Sequence, residues 1–194
     1  MTTYVMSDAI RFDKDTHTYW HGDLQLESVS HIISEMMPTD YSMIPAHVLE
    51  NARLRGIAID KYFGAYVKNR NCEVPIGESE DIVRRLRLLI GWWNNSIYRD
   101  EDWQIQPILG SIEDGVAGTA DLISQRIILD LKVVSELRPT YQLQLGAYLS
   151  MADHPREAGI IHLTKDTCRF VRYERGQCRE KWRELLKAWH ERLI

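Results

Sequence analysis

The most apolar stretch of this chain carries two aspartates, and no fold of the stretch can ignore them. Residues 116–148 read VAGTADLISQRIILDLKVVSELRPTYQLQLGAY. Residues 116–123 and 126–134 are rich in Ile, Val and Leu and flank Ser124-Gln125, which predicts two strands joined by a tight turn. Side chains alternate along a strand, so Asp130 and Lys132 share one face while Leu129, Leu131 and Val133 take the other. A two-residue loop at Ser124-Gln125 sets Ile128 opposite Asp121, which leaves Asp121 and Asp130 as diagonal neighbours about 7 Å apart. Sliding the loop by one residue makes them direct partners; both registers keep the aspartates on one face. Two such carboxylates repel by about 4 kcal/mol at about 4 Å and an effective dielectric of about 20. A divalent cation between them removes the repulsion, so the hairpin is a candidate metal site. The bland alternative is an Asp-x-Lys on a solvated edge strand. The second aspartate of matching parity, Gly118-Thr119 before it and a Gln/Tyr helix after it favour the site.

The rest of the composition sets bounds. A chain of 194 residues suits one compact domain, taken as residues 1–194, and can bury a substantial core. The net charge of −4 gives no global basic footprint for nucleic acid, although acidic metal ligands would mask a local one. Cys72, Cys168 and Cys178 are odd in number and widely spaced, which argues against a disulfide framework, a zinc ribbon or a four-cysteine cluster. Nothing reads as a signal peptide, and there is no apolar run of about 18 residues. A soluble, cytoplasmic protein is expected.

Taken in order, residues 10–20 read as a hairpin turning at Lys14-Asp15, and Gly22-Asp23 marks a second turn. Residues 28–37 read as a short helix with Ser30 as N-cap and Pro38 beyond its end. Residues 1–45 thus form an N-terminal hairpin lid and short helix. Pro45 opens a long helix to about Lys68, with Val48, Leu49, Ala52, Ile59, Tyr62, Phe63 and Tyr66 at helical spacing. Gly56, Asp60 and Gly64 share one stripe of it. The glycines mark either close approach of another molecule or tight packing on a sheet. After a loop over 69–77, a second helix spans 79–98 with Ile82, Leu86, Leu89 and Trp93 inward. Arg84, Arg85 and Arg87 lie on its other face, either solvated or tracking phosphates. A first central strand covers 103–109, a helix 141–151, a hairpin 159–164 and 168–173, and an amphipathic helix 180–193. That last helix turns Trp182, Leu185, Leu186, Trp189 and Leu193 inward. The order implies an α/β fold in one domain. The seven histidines form no paired metal motif, and no Gly-rich phosphate loop is present.

Together these segments resemble the PD-(D/E)xK nuclease superfamily, in particular its RecB-like and phage recombination exonuclease branch, over residues 10–173. The resemblance rests on His17–Trp20, Gly22 and Ser28–Ser34 near the start, then on Ala52, Arg55 and Gly56 in the long helix. It continues through Gly118 and Asp121 (G-x-x-D), Asp130 and Lys132 (D-x-K), and Gln144 and Tyr148 (Q-x-x-x-Y). Gln142 competes for the glutamine, but only Gln144 stands four residues before Tyr148. The chain departs from the family at Asp60, where relatives carry histidine, and near Gln106, where many carry glutamate.

The resemblance implies a restriction-endonuclease-like domain, a central mixed sheet flanked by helices. It implies a Mg²⁺- or Mn²⁺-dependent deoxyribonuclease, an exonuclease of phage-type recombination or repair. Asp121, Asp130 and Lys132 would be catalytic. Asp60, Asp121, Asp130 and the Leu131 carbonyl would hold one or two ions. Lys132 would orient or deprotonate the attacking water and offset phosphate charge. Arg55, Gln144 and Tyr148 would contact the DNA backbone or brace the site. DNA is the implied partner, with a single-strand annealing or recombination protein and further copies of the chain beside it; no membrane is implied. The two departures leave a second expectation, a nuclease-fold module that binds DNA or protein without cutting. A CRISPR-adaptation nuclease is disfavoured by the missing cluster cysteines.

Overall fold

A computed structural model describes residues 4–6, 9–70, 77–152 and 154–193. Cys72 and most of the loop expected over 69–77 lie outside them. The described residues form a mixed α/β structure of five helices and two mixed sheets. The strands are β1 Tyr4–Met6, β2 Ile10–Asp13, β3 Thr18–His21, β4 Leu24–Ser28, β5 Gln104–Ile105, β6 Ile108–Ser111, β7 Val116–Thr119, β8 Leu122–Ile123, β9 Ile127–Lys132, β10 Glu157–Leu163 and β11 Cys168–Tyr173. The helices are α1 Val29–Met36, α2 Ala46–Asn69, α3 Glu80–Asn94, α4 Thr140–Met151 and α5 Arg175–Arg192. One sheet runs β1-β6-β7-β4-β3-β2 and the other β11-β10-β9-β8-β5.

A single antiparallel ribbon joins the two sheets. Ile108 faces Thr119 in the first sheet and Gln104 faces Ile123 in the second, so the register passes between them without a slip. Between these pairs the Ala120 N–H donates to the Pro107 carbonyl at 3.2 Å, and the Gln106 N–H to the Asp121 carbonyl at 2.8 Å. The expected strand over 103–109 is therefore broken in two, and so is the expected strand over 116–123. Pro107 cannot donate to a ladder, and Gln106 before it adopts a left-handed φ of 51°. The ribbon bends there, and the bend sets Gln106 and Asp121 at the corner.

The turn of the opening hairpin is Gln125-Arg126, one residue later than expected. Ser124 pairs with Ile127 through a 2.9 Å backbone hydrogen bond, and the Ser124 hydroxyl accepts from the Arg126 and Ile127 N–H groups. Leu122 then faces Leu129 and Ile123 faces Ile128. Extending that register brings Asp121 level with Asp130, the direct-partner alternative. From β9 the chain passes through α4 into β10, which lies parallel to β9.

β9 is buried on both faces, as its near-unbroken apolar run requires. Ile127, Leu129 and Leu131 join Ile59, Phe63, Leu86, Leu89 and Trp93 beneath α2 and α3. Ile128, on the opposite face, packs with α1, α4 and α5 through Ile32, Leu145, Leu149, Trp182 and Trp189. Asp130 and Lys132 share that second face. Gly146 allows α4 to touch α5: a Cβ there would sit 2.1 Å from the Cys178 carbonyl oxygen.

Several expectations change. The N-terminal hairpin is no lid but part of a sheet, because β4 lies parallel to β7 and β3 and β2 follow outward from it. The N-cap of α1 is Ser28 rather than Ser30; the two hydroxyls lie 2.8 Å apart, and neither caps the helix. α5 begins at Arg175, not 180, because the Glu174 carboxylate caps it by accepting from the Gly176 and Gln177 N–H groups. Leu193 lies past its end, exposed instead of inward. Val48 is exposed, since α2 meets the sheet only through its second half at Ile59, Phe63 and Val67. Arg85 is buried rather than solvated and donates to Asp81 at 3.0 Å; Arg84 pairs with Asp81 and Asp166. Gly64 answers to packing, with Ile105 Cγ2 3.3 Å from where its Cβ would be, whereas Gly56 opens on free space.

Gly146→Ala weighs two effects of opposite sign. Helix propensity favours alanine by about 1 kcal/mol, but the contact is with backbone of α5 and cannot be relieved by a rotamer change. Overpacking of about 1–3 kcal/mol should win. The variant is expected to melt several degrees below wild type in a thermal scan.

Candidate active site

Asp130 is the centre of the site. It is 2% exposed, and among the described residues neither carboxylate oxygen accepts an aligned hydrogen bond. Lys132 Nζ reaches its Oδ2 at 2.8 Å, an ion-pair contact without hydrogen-bond alignment. The lysine amine donates to Gln144 Oε1 at 2.8 Å and lies 5.0 Å above the Tyr141 ring. From Gln144 a chain of hydrogen bonds runs on. Its amide nitrogen donates to the Tyr148 hydroxyl at 3.0 Å, and that hydroxyl donates to the Thr119 carbonyl at 2.7 Å. Thr119 Oγ1 lies 3.0 Å from the Tyr19 hydroxyl of β3. Four residues are one helical turn, so α4 can present Gln144 and Tyr148 together. Gly118 permits the approach: a Cβ there would be 3.0 Å from Tyr148 Cε1.

Asp121 stands at the bend, where β8 has parted from β9. Its Oδ2 accepts the Leu131 N–H at 2.7 Å, a side chain serving β9 where the ladder stops. Asp60 arrives from α2 and is held by Gln106, whose amide donates to Asp60 Oδ2 at 2.6 Å. The left-handed backbone of Gln106 costs about 1–3 kcal/mol, the kind of strain that gathers at functional sites.

The three carboxylates sense one another. Burial and Asp130 push the Asp121 carboxyl well above its usual range, with Lys132 a partial counterweight. Burial raises Asp130 despite Lys132. Burial raises Asp60 as well, against the hydrogen bond from Gln106. Lys132 loses hydration too, yet Asp130 and Asp121 outweigh that loss and hold its pKa above the usual lysine value. Its amine is held as an ammonium here, between Asp130 and Gln144.

Asp60, Asp121, Asp130, Lys132, Gln144 and Tyr148 thus come to one region. Leu131 contributes its N–H to Asp121, and its side chain joins the core beneath α2 and α3. Arg55 holds its guanidinium 3.8 Å from Asp81, and among the described residues its buried Nε has no hydrogen-bond partner. It lines a groove of about 630 Å³ with Val133, Arg138 and Tyr141, the ring above Lys132. Sequence reasoning gave no role to Thr119 or Tyr19, and took Gln106 only as an amide where relatives carry glutamate, not as the partner of Asp60. The first two carried no signal beyond their place in a Gly-Thr pair and a hairpin. The proline after Gln106 was the readable sign of a bend.

The side chains suit a hard divalent cation by one observation: among the described residues Asp130 Oδ1 meets no donor in a buried position, and Oδ2 meets only the Lys132 ammonium. All three acids offer oxygen. Among the described residues no group of three or more His, Cys, Asp or Glu side chains stands assembled as a metal-ligand set. Gln106, the Leu131 N–H and Lys132 each occupy one oxygen of one carboxylate. No protein-family model matches the chain, and no curated protein is significantly similar to it. Among the described residues no helix is long and apolar enough to cross a membrane.

Three aspartates with raised pKa values bind more protons in the fold than in the unfolded chain, above about pH 4. The stability they contribute is full below the ordinary carboxylate pKa and is lost as pH rises through the raised values. In EDTA at about pH 8, Asp121→Asn should melt several degrees above wild type, with the gap closing towards about pH 4. The asparagine oxygen can still accept the Leu131 N–H, so the difference isolates the charge. Equal melting at both pH values would mean that Asp121 ionises freely.

Proposed function

We propose that the chain is a metal-dependent DNA nuclease, an exonuclease hydrolysing phosphodiester bonds in phage-type recombination or repair, on a restriction-endonuclease-like domain. The observation that carries this reading is the buried Asp130 carboxylate, held by no neutral donor among the described residues, with Lys132 2.8 Å from Oδ2 and Asp121 level with it. An aspartate kept only for structure would be satisfied by donors, and isolated burial of its charge is expensive. The order G-x-x-D, D-x-K, Q-x-x-x-Y supports the same reading, since Lys132, Gln144 and Tyr148 join one hydrogen-bonded chain beside Asp130.

Asp121, Asp130 and Asp60 would hold Mg²⁺ or Mn²⁺, with the Leu131 carbonyl as a further oxygen. When bound, the ion supplies positive charge to the phosphate and acidifies water. The chain's own work is to hold that arrangement. Gln106 keeps Asp60 aimed at the corner. Lys132 brings a fixed ammonium to the reacting phosphate, where a buried charge acts strongly and needs no reorganisation. Gln144 orients that ammonium, and Tyr148, anchored on Thr119, orients Gln144.

A second reading, a nuclease-fold module that binds DNA or protein without cutting, is favoured by Gln106. Its neutral amide stands at the corner and occupies one oxygen of Asp60. End-labelled single- and double-stranded DNA incubated with Mg²⁺, Mn²⁺ or EDTA separates the two. Wild type should cut only with metal, and Lys132→Ala should lose cutting by at least about 100-fold while still binding DNA. Cleavage by a clean Lys132→Ala preparation would remove the assigned mechanism. No cleavage by wild type on any substrate would leave the binding module.

Asp60 gives a separate check. Asp60→Ala should lose most activity. Asp60→His should keep some, with its preference shifted towards Mn²⁺, because imidazole suits the softer ion and removes one charge. Two variants that cut like wild type would take Asp60 out of the site.

A further inference from the structure

We propose that the N-terminal hairpin carries a seat for one unpaired nucleobase of the strand being cut, formed by Phe12 and His17. The inference rests on the nuclease reading and extends it to the form of the substrate.

Phe12 and Tyr19 are cross-strand partners on β2 and β3, with rings stacked at 4.7 Å and 27°. His17 meets Phe12 edge-on at 5.1 Å and 87°. His17 is exposed and sits in the turn at a left-handed φ of 55°, where glycine or asparagine would be less strained. The strain brings an aromatic ring edge-on against Phe12 in the lining of a cavity. That cavity, about 290 Å³, has Phe12 and His17 on its hairpin side and Gln106, Thr119, Gln144 and Tyr148 on its site side.

The lining decides the ligand. Among the described residues around this cavity there is no carboxylate, lysine or arginine. A phosphate would find no cation there, and an apolar chain would strand the hydroxyls and amides. A flat, neutral group with hydrogen-bonding edges finds rings for its face and Gln144, Gln106 and Thr119 for its rim. A nucleobase is such a group. The volume lies at the small end of ligand sites, about 300–1,000 Å³, and suits one base rather than a base pair.

Position ties the seat to the chemistry. Tyr19 and Tyr148 are both hydrogen-bonded to Thr119, so hairpin and α4 are pinned to one residue. Gln144 borders the cavity and also holds Lys132. A base seated there puts its backbone beside the ammonium and Asp130. A base inside a duplex must leave its stack to enter. Single-stranded or frayed ends are therefore the favoured substrate.

Binding measured in EDTA tests the seat without requiring cleavage. Fluorescent single strands and blunt duplexes are titrated with wild type, His17→Asn and Phe12→Leu. Asparagine tolerates the left-handed turn but has no ring, and thermal melting confirms that each variant folds. Single-strand affinity should fall about tenfold in both variants, within the range that aromatic truncation produces, with duplex binding unchanged. An abasic nucleotide moved along the strand should cost wild type a similar factor at one position and His17→Asn nothing further. Variants that bind every substrate like wild type, or an abasic loss undiminished in His17→Asn, overturn the seat. If wild type also cuts DNA in that case, the nuclease reading stands alone. If the seat is found but no substrate is cut, the nuclease reading falls and the seat belongs to a binding module. Wild type that binds neither form of DNA overturns both.

Discussion

A carboxylate and an ammonium share one buried region of β9, and most of the surrounding architecture follows from keeping them there. Each ion loses hydration worth several kcal/mol in such a place, and attraction between them restores it only with good support. The support on the lysine side is complete: Gln144, Tyr148 and Thr119 hand the arrangement from helix to strand, and Tyr141 offers its ring face. On the aspartate side it is partial: among the described residues Oδ1 meets no donor, and Oδ2 meets only the Lys132 ammonium. The cation is held by a hydrogen bond as well as by charge, and the anion by charge alone.

The second requirement is geometric. Asp121 must face Asp130 without the two strands continuing side by side, or the ladder would fill the space between them. The bent ribbon meets this condition. Pro107 and the left-handed Gln106 turn one strand, Ala120-Asp121 turns its partner, and the carboxylate freed by the parting takes the Leu131 N–H. The same corner receives Asp60, because α2 crosses close to β5 where Gly64 lets it rest on Ile105.

What the sequence disclosed and what it concealed divide along physical lines. Alternation along a strand is local, so Asp130, Lys132 and the parity of Asp121 were readable, and so was the helical step from Gln144 to Tyr148. The turn at Gln125-Arg126 was misplaced by one residue because Ser124 acts through its hydroxyl, holding two N–H groups of the turn from its edge. Pairing between distant segments leaves no local trace. The hairpin reads as a lid until β4 is seen lying parallel to β7, some ninety positions later in the chain. Arg85 misled for a related reason: a charged residue on a helix reads as solvated unless its partner, here Asp81 one turn earlier, is recognised as covering it. The early start of α5 was hidden by a glycine in the first turn, where Glu174 rather than propensity begins the helix.

The unslipped ribbon also sets where the length of this chain can vary. Register is shared from Gln104–Ile123 to Ser111–Val116, and every side chain on it faces the way its parity dictates. One residue inserted beside Gln106 would turn one strand over against the other and carry Asp121 away from Asp130. Residues 112–115, at the far tip, close the ribbon with Gly115 at a φ of 69° and a serine–aspartate turn, Ser111 to Asp114. Residues added at exposed Glu113, ahead of the Asp114 and Gly115 carbonyls that meet His190 and Glu27, lengthen a loop and leave every pair below it in place. Insertions and deletions should therefore be tolerated at the tip of this ribbon and selected against at its bend, although the two are only a few residues apart.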